Sequence, residues 1–307
     1  MSIFKVPIIL LFLLLQIVVS TSTYAGGALR ADDLTPPGQL VDVGGHRMHI
    51  YCQGEGEPTI VLDSGAGGFS LEWNTIQKSI SSETRVCAYD RAGYGWSDMG
   101  PLPRTSLRIV KELRNLLRNA EIPGPYIMVG HSFGGYTAQF FARNHPQQLA
   151  GIVLIDSSHP EQVLRLPKTT KKVSARPENS RTYSITRPVL HDHYPKETGA
   201  RAYRLMSSWK YRFTRQEEML NLPRSAEELM QAVPYKTVPL VVLTRGKRVW
   251  PHTSYGNEME KVWRELQDEL SALSQNSVHL IAENSGHSIH LDQPELVISA
   301  LRNLLRQ

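Results

Sequence analysis

The segment Gly130-His131-Ser132-Phe133-Gly134-Gly135 constrains this chain more than any other. An apolar run at 126–129 precedes it, the mark of a buried parallel strand, and residues 135–143 continue with helical character. A serine on a sharp turn between strand and helix is the pattern of a nucleophile elbow, G-x-S-x-G. The flanking glycines suit a turn in which side chains on either side would collide. Such a turn lifts the hydroxyl clear of the sheet. It also aims the unpaired N–H groups of the new helix at negative charge developing beside it.

The rest of the chain supplies a matching frame. Runs at 39–43, 46–52, 59–63, 85–90, 126–129, 151–156, 239–244 and 277–282 read as strands, with Gly44-Gly45 as a hairpin turn between the first two. Helical spacing occupies 107–117, with Thr105 or Ser106 as its cap, then 135–143, 259–273 and 295–305. Strands alternating with helices predict an α/β fold, a mostly parallel, doubly wound sheet covered on both faces. The 307 residues suffice for one large domain, or one domain with an insertion, and the 41% hydrophobic content supports a core without a metal or disulfide scaffold. A formal net charge of +5 is a mild excess that gives no reason to expect a nucleic-acid partner. There is no internal repeat, dinucleotide fingerprint or metal-ligand spacing, so neither an organic cofactor nor a metal is expected.

Residues 1–25 read as a signal peptide. Lys5 gives a positive start, residues 6–19 are apolar apart from Pro7 and Gln16, and Thr23 and Ala25 stand where a signal peptidase reads. An apolar core of about 14 residues suits a leader and is short of the roughly 20 that span a bilayer. An uncleaved membrane anchor is the alternative. In either case the expected site of action is outside the cytosol, secreted or periplasmic, where Cys52 and Cys87 could oxidise.

Four motifs stand in a fixed order: Asp63-Ser64-Gly65-Ala66-Gly67 after the third strand, Asp90-Arg91-Ala92-Gly93-Tyr94-Gly95-Trp96-Ser97-Asp98 after the fourth, the elbow, and Ser285-Gly286-His287-Ser288-Ile289-His290-Leu291-Asp292-Gln293-Pro294-Glu295 near the end. With these the chain resembles the α/β-hydrolase fold superfamily over most of 39–307. The resemblance implies a serine hydrolase, esterase- or lipase-like, that cleaves a small-molecule or lipid-like ester through an acyl-enzyme. Acyl transfer or cofactor-free peroxidation on the same residues is a second reading, and a catalytically silent ligand-binding member of the fold a third. Epoxide and haloalkane hydrolases of this fold use an aspartate nucleophile, where this chain has Ser132.

A serine hydroxyl needs a base. His287, after Gly286 and following the last strand, matches the family's histidine; His290 is its competitor, and Asp292 to Glu295 reads as a helix N-cap with a capping box. His131 is expected to be structural. Many relatives place their acid after the strand at 239–244, but residues 239–257 hold no Asp or Glu and carry Arg245, Lys247 and Arg248 instead. Asp156, at the carboxyl end of the strand following the elbow helix, is the replacement some members use. Glu258, or a dyad without an acid, are the alternatives. The resemblance assigns an oxyanion hole to the backbone N–H groups of Ala66 and Phe133. Asp90-Arg91 with Gly93 and Gly95 reads as turn chemistry.

Residues 157–235 separate two strands by far more than an ordinary connection and are expected to form a cap, or lid, on a core of 26–156 and 236–307. They hold 14 Lys/Arg against 8 Asp/Glu, and Tyr203, Trp209, Tyr211 and Phe213 interleave with Arg204, Lys210 and Arg212. This reads either as an amphipathic cover or as a lid contacting an anionic membrane surface or a negatively charged substrate. Finally, the family strand order implies that Cys52 and Cys87 are neighbours on antiparallel strands, a disulfide candidate.

Overall fold

The computed structural model describes residues 34–168, 188, 190–231, 235 and 237–307. The leader expected at 1–25 and residues 169–187 of the expected cap lie outside the described residues.

Eight strands form one sheet: β1 (Gln39–Asp42), β2 (Arg47–Gln53), β3 (Thr59–Asp63), β4 (Val86–Tyr89), β5 (Tyr126–His131), β6 (Leu149–Ile155), β7 (Leu240–Arg245) and β8 (Ser277–Ala282). Their order is β1-β2-β4-β3-β5-β6-β7-β8. β2 pairs antiparallel with both β1 and β4, and every pairing from β4 through β8 is parallel. The helices are α1 (Asn74–Ile80), α2 (Ser106–Asn119), α3 (Gly134–Asn144), α4 (Gln162–Arg165), α5 (Lys196–Met206), α6 (Trp209–Leu220), α7 (Leu222–Met230), α8 (Ser254–Ser271), α9 (Ile289–Asp292) and α10 (Pro294–Leu305). None of the described helices is long and apolar enough to cross a membrane.

Alternation along the central strands sorts their side chains between two cores. Val61, Met128, Ile152 and Val242 pack with Ile109 and Leu113 of α2 and Phe140 and Phe141 of α3. The intervening Ile60, Leu62, Val129, Val153 and Leu243 pack with Ile76 and Ile80 of α1 and Val297 and Leu301 of α10. Both faces are covered, so these strands are continuous apolar runs rather than alternating ones.

In the first hairpin Gly44 and Gly45 have φ of +113° and +96°, and the Asp42 carboxylate accepts the Gly44 N–H at 2.6 Å. At the far end of β2, Cys52 lies directly opposite Cys87 of β4, and the two are joined by a disulfide bond.

Several local expectations shift. Helix α8 starts at Ser254, five residues before its apolar periodicity, because the Thr253 side chain accepts the Gly256 N–H and caps it. Asp292 does not cap α10. Its carboxylate turns back to accept the Gly286 N–H at 2.9 Å and the Ser285 hydroxyl at 3.1 Å, tying down the histidine loop. Helices α5 and α6 lie over the loops at the carboxyl ends of the strands, where Ala202 and Tyr211 join Phe69, Leu71, Tyr94 and Tyr194 in a separate apolar cluster, while α7 packs with α2 and α3 through Leu222, Ala226 and Leu229. The interleaved aromatics therefore divide. Tyr211 is buried against Tyr94, whereas Trp209 is exposed and stacks on Phe213. Lys210 points inward and donates to the Ser97 carbonyl at 2.7 Å.

Candidate active site

Ser132 follows β5 and precedes α3 with a φ of +50°, a conformation that non-glycine residues adopt rarely. Two glycines make the turn feasible. A Cβ on Gly130 would meet the Gly134 carbonyl oxygen at 2.5 Å, and one on Gly134 would meet the Asp63 and Ser64 carbonyl oxygens at 2.6 Å. The backbone is pinned on both sides: the Ser132 N–H donates to Ile155, and the Ser132 carbonyl accepts from Ser158. The hydroxyl is consequently held in one place.

His287 meets it there. Its Nε2 lies 2.9 Å from Ser132 Oγ, and its Nδ1 lies 2.6 Å from Asp156 Oδ2. Asp156 is fully buried just after β6, with φ +39°. Burial alone would raise its pKa, but the Arg245 guanidinium and the hydrogen bonds from His287 and Trp263 outweigh that and hold it well below the usual carboxylate range. An ionised carboxylate only accepts, so Nδ1 carries the proton and Nε2 is left to accept from Ser132.

The cation at the end of β7 explains why no acid is needed there. Arg245 reaches both Asp156 oxygens, at 3.2 and 2.9 Å, and its other arm meets Glu260 at 3.1 Å. Trp263 Nε1 donates to Asp156 Oδ1 at 2.9 Å, and the Arg245 guanidinium lies 4.6 and 5.0 Å from the Trp250 and Trp263 ring centroids. Glu258 is exposed on α8 and takes no part; Glu260, two residues on, is the acid that joins the network. Arg245, Glu260 and Trp263 were missed from sequence. The one available signal was a base standing where relatives carry an acid.

The loop after β3 packs against the elbow: a Cβ on Gly65 would lie 2.9 Å from His131 Nδ1 and 3.1 Å from Ser132 Cβ. Among the described residues the N–H groups of Ala66 and Phe133 have no backbone or side-chain acceptor. Arg91, read as a turn residue, is buried beneath this loop. It donates to Asp63 Oδ1 (2.6 Å), the Ser64 carbonyl (2.5 Å), the Gly65 carbonyl (2.8 Å) and Glu218 of α6. Its neighbour Asp90 accepts the Trp96 N–H within the turn and the Ser70 N–H from the segment after β3.

His131 and His290 do not face Ser132 as bases. His131 Nε2 donates to the His287 carbonyl at 3.0 Å, steadying the histidine loop from below. His290 is buried beside the Trp73 ring with Nε2 3.5 Å from Glu72. Burial holds His131 well below the ordinary histidine value and His290 down at about 3, so both rings are neutral. Two groups among the described residues could hold a metal ion, although no spacing in the sequence announced them: Glu72, His131 and His290, all buried, and His191, His193 and Asp292 nearer the surface.

Comparisons with known proteins bear on the family and the fold. The chain is 27% identical over 259 residues to the uncharacterized protein YqjL of Bacillus subtilis (strain 168), covering 83% of this chain and 86% of that protein. Two further curated relatives are longer, and the chain spans 42% and 58% of their length. Among solved structures, an epoxide hydrolase of Vigna radiata superposes with a TM-score of 0.67 at 17% identity, covering 87% of this chain and 98% of that one. A thermophilic esterase from Thermogutta terrifontis gives 0.61 at 19% identity, over 85% and 93% of the two chains. At these identities the superpositions speak for the fold alone. The profile of the alpha/beta hydrolase family matches residues 60–300, and the chain belongs to that family.

Proposed function

We propose that this chain is a serine hydrolase that cleaves a carboxylic ester through an acyl-enzyme on Ser132. The observation that carries the reading is the single file of hydrogen bonds from Ser132 Oγ through His287 to buried, ionised Asp156. Oγ attacks the ester carbon as His287 Nε2 takes its proton. The Nδ1–H bond to Asp156 keeps the ring in the working tautomer and stabilises the imidazolium. The tetrahedral oxyanion sits against the free N–H groups of Ala66 and Phe133. His287 then protonates the leaving alcohol, the carbonyl re-forms, and water, activated by the same histidine, releases the acid and regenerates Ser132.

A serine at the elbow favours this chemistry over that of the epoxide hydrolases that share the fold. Helices α5 to α7 supply the cap of 157–235, and the contact of α5 and α6 with Phe69, Leu71 and Tyr94 covers the loops at the carboxyl end of the sheet. The outward face of this basic cap, with Trp209 exposed, is where contact with an anionic surface would occur. Export, through the leader at 1–25, is part of the proposal and is supported by the Cys52–Cys87 bond, a feature of oxidising compartments.

The test is hydrolysis of p-nitrophenyl esters from acetate to palmitate, with and without anionic micelles. Turnover of at least one chain length, lost in Ser132→Ala, is expected. Turnover that persists in Ser132→Ala would reject the mechanism.

A further inference from the structure

We infer that Glu218, on cap helix α6, is a positioning residue for the oxyanion loop and acts on it through Arg91. The inference rests on the proposed oxyanion hole and adds that the cap helps to build it.

Arg91 is 1% exposed and Glu218 0% exposed, and the two lie 127 residues apart in sequence. Arg91 Nε and Nη2 meet the two Glu218 carboxylate oxygens at 2.8 and 3.0 Å, a bidentate pair that fixes the guanidinium plane. Tyr94 donates its hydroxyl to Glu218 Oε2 at 2.8 Å, so the carboxylate is itself held. The guanidinium is then aimed at the loop. Nη2 donates to the Gly65 carbonyl at 2.8 Å, and Nη1 to the Ser64 carbonyl and the Asp63 carboxylate.

The Gly65 carbonyl belongs to the same planar peptide unit as the Ala66 N–H. Fixing one end of that unit fixes the direction of the other, and the cation polarises it toward donation. Gly65 and Gly67 flank Ala66, and Gly67 has φ +90°, so apart from the Gly68 N–H bond to the Gly65 carbonyl the loop's direction depends on what packs against it. Arg91 also lies 5.3 Å over the Phe133 ring, beneath the second proposed donor. Without Glu218 the guanidinium keeps Asp63 as its counter-charge but loses the contact that sets its plane, and the Gly65 carbonyl is left with the Gly68 N–H, at 3.0 Å, as its one partner held independently of that plane.

The variants are Glu218→Gln, which keeps the volume and leaves Arg91 paired with Asp63, and the gentler Tyr94→Phe, which removes only the hydroxyl that holds Glu218. Ser225→Ala is the control for cap docking, since Ser225 accepts the Ser106 N–H where α7 meets α2, away from the loop. Three measurements are made on each: ester kinetics, the rate of Ser132 labelling by a fluorophosphonate, and hydrogen exchange of residues 63–69. In Glu218→Gln, kcat and the labelling rate are expected to fall about 10- to 100-fold, part of the loss that follows removal of an oxyanion donor. KM should stay within about threefold, since the ground state uses the hole little. Exchange at 63–69 should rise, Tyr94→Phe should move each readout the same way by less, and Ser225→Ala should move none.

Exchange and labelling in Glu218→Gln and Tyr94→Phe that match the wild type overturn the inference, as does an equal effect in Ser225→Ala. If wild-type protein labels at Ser132 yet cleaves no ester, the ester reading fails while the labelling comparison still decides the role of Glu218. If it does not label at all, hydrogen exchange alone decides whether Glu218 orders the loop.

Discussion

Reducing the Cys52–Cys87 bond should cost this protein a definite amount of stability. The bond joins residues 35 apart in sequence. Cross-linking such a loop removes about 12.7 cal/mol/K from the unfolded chain, from 2.1 plus 1.5R ln 35, or about 3.8 kcal/mol at 25 °C. Cys87 is buried in β4, so a substitution would also remove packing; reduction of the unmodified chain keeps both sulfur atoms and isolates the cross-link. The assay is denaturant unfolding of protein folded under oxidising conditions, with and without a thiol reductant. Alongside it runs the Cys52→Ala/Cys87→Ala double variant, in which the reductant should do nothing. A reductant effect below about 1 kcal/mol would refute the chain-entropy reasoning. Two free thiols on titration of the unfolded, unreduced protein would remove the bond itself.

Other outcomes follow from the site. Asp156→Asn should lower turnover about 10³- to 10⁴-fold with the fold intact, because the neutral amide no longer fixes the His287 tautomer; steady-state kinetics and a thermal melt check both halves. His287→Ala should abolish turnover, and combining it with Ser132→Ala should add little, since the two act as a unit. His290→Ala should cost stability more than activity, and the reverse ranking would move the base to His290. Acid should destabilise the protein in two stages. Burial depresses His131, His290 (to about 3) and His159 (to about 4), so below pH 6.5 the unfolded chain binds protons that the folded chain refuses. Stability then falls as pH drops, by up to about 1.4 kcal/mol per pH unit for each histidine. Asp156, Asp90 and Asp292, held low by their partners, add stability that is complete above about pH 4 and is lost on further acidification. Melting curves from pH 8 to 4 should show the first stage, flattened in His290→Gln.

The elements that position Ser132 were legible because they are local. A buried strand reads as an apolar run, the elbow glycines stand beside the serine they serve, and the acid-free stretch after β7 leaves Asp156 as the strand-end carboxylate. The partners of that carboxylate were not legible. Arg245 looks like any surface base in sequence, and only the sheet register brings it beside the end of β6. Arg91 sits in a glycine-rich turn whose local pattern accounts for it, while Glu218 is one of two adjacent acids on a polar helix 127 residues away. Asp292 misled for a related reason. Its spacing to Glu295 fits a capping box, but a nearer pair of donors, Ser285 and the Gly286 N–H, captures the carboxylate. Composition placed the aromatic residues of the cap together, and the helix rotation that buries Tyr211 while leaving Trp209 in solvent was invisible to it.

The central claim, that Ser132 is a nucleophile driven by His287, is tested most directly by intact-mass analysis after brief exposure to a fluorophosphonate. The wild type should gain one phosphonyl group, and fragmentation should place it on Ser132. Ser132→Ala should gain none, and His287→Ala should label at least about a hundredfold more slowly, the general-base contribution that histidine supplies. Labelling at another residue, or an undiminished rate in His287→Ala, would contradict the account.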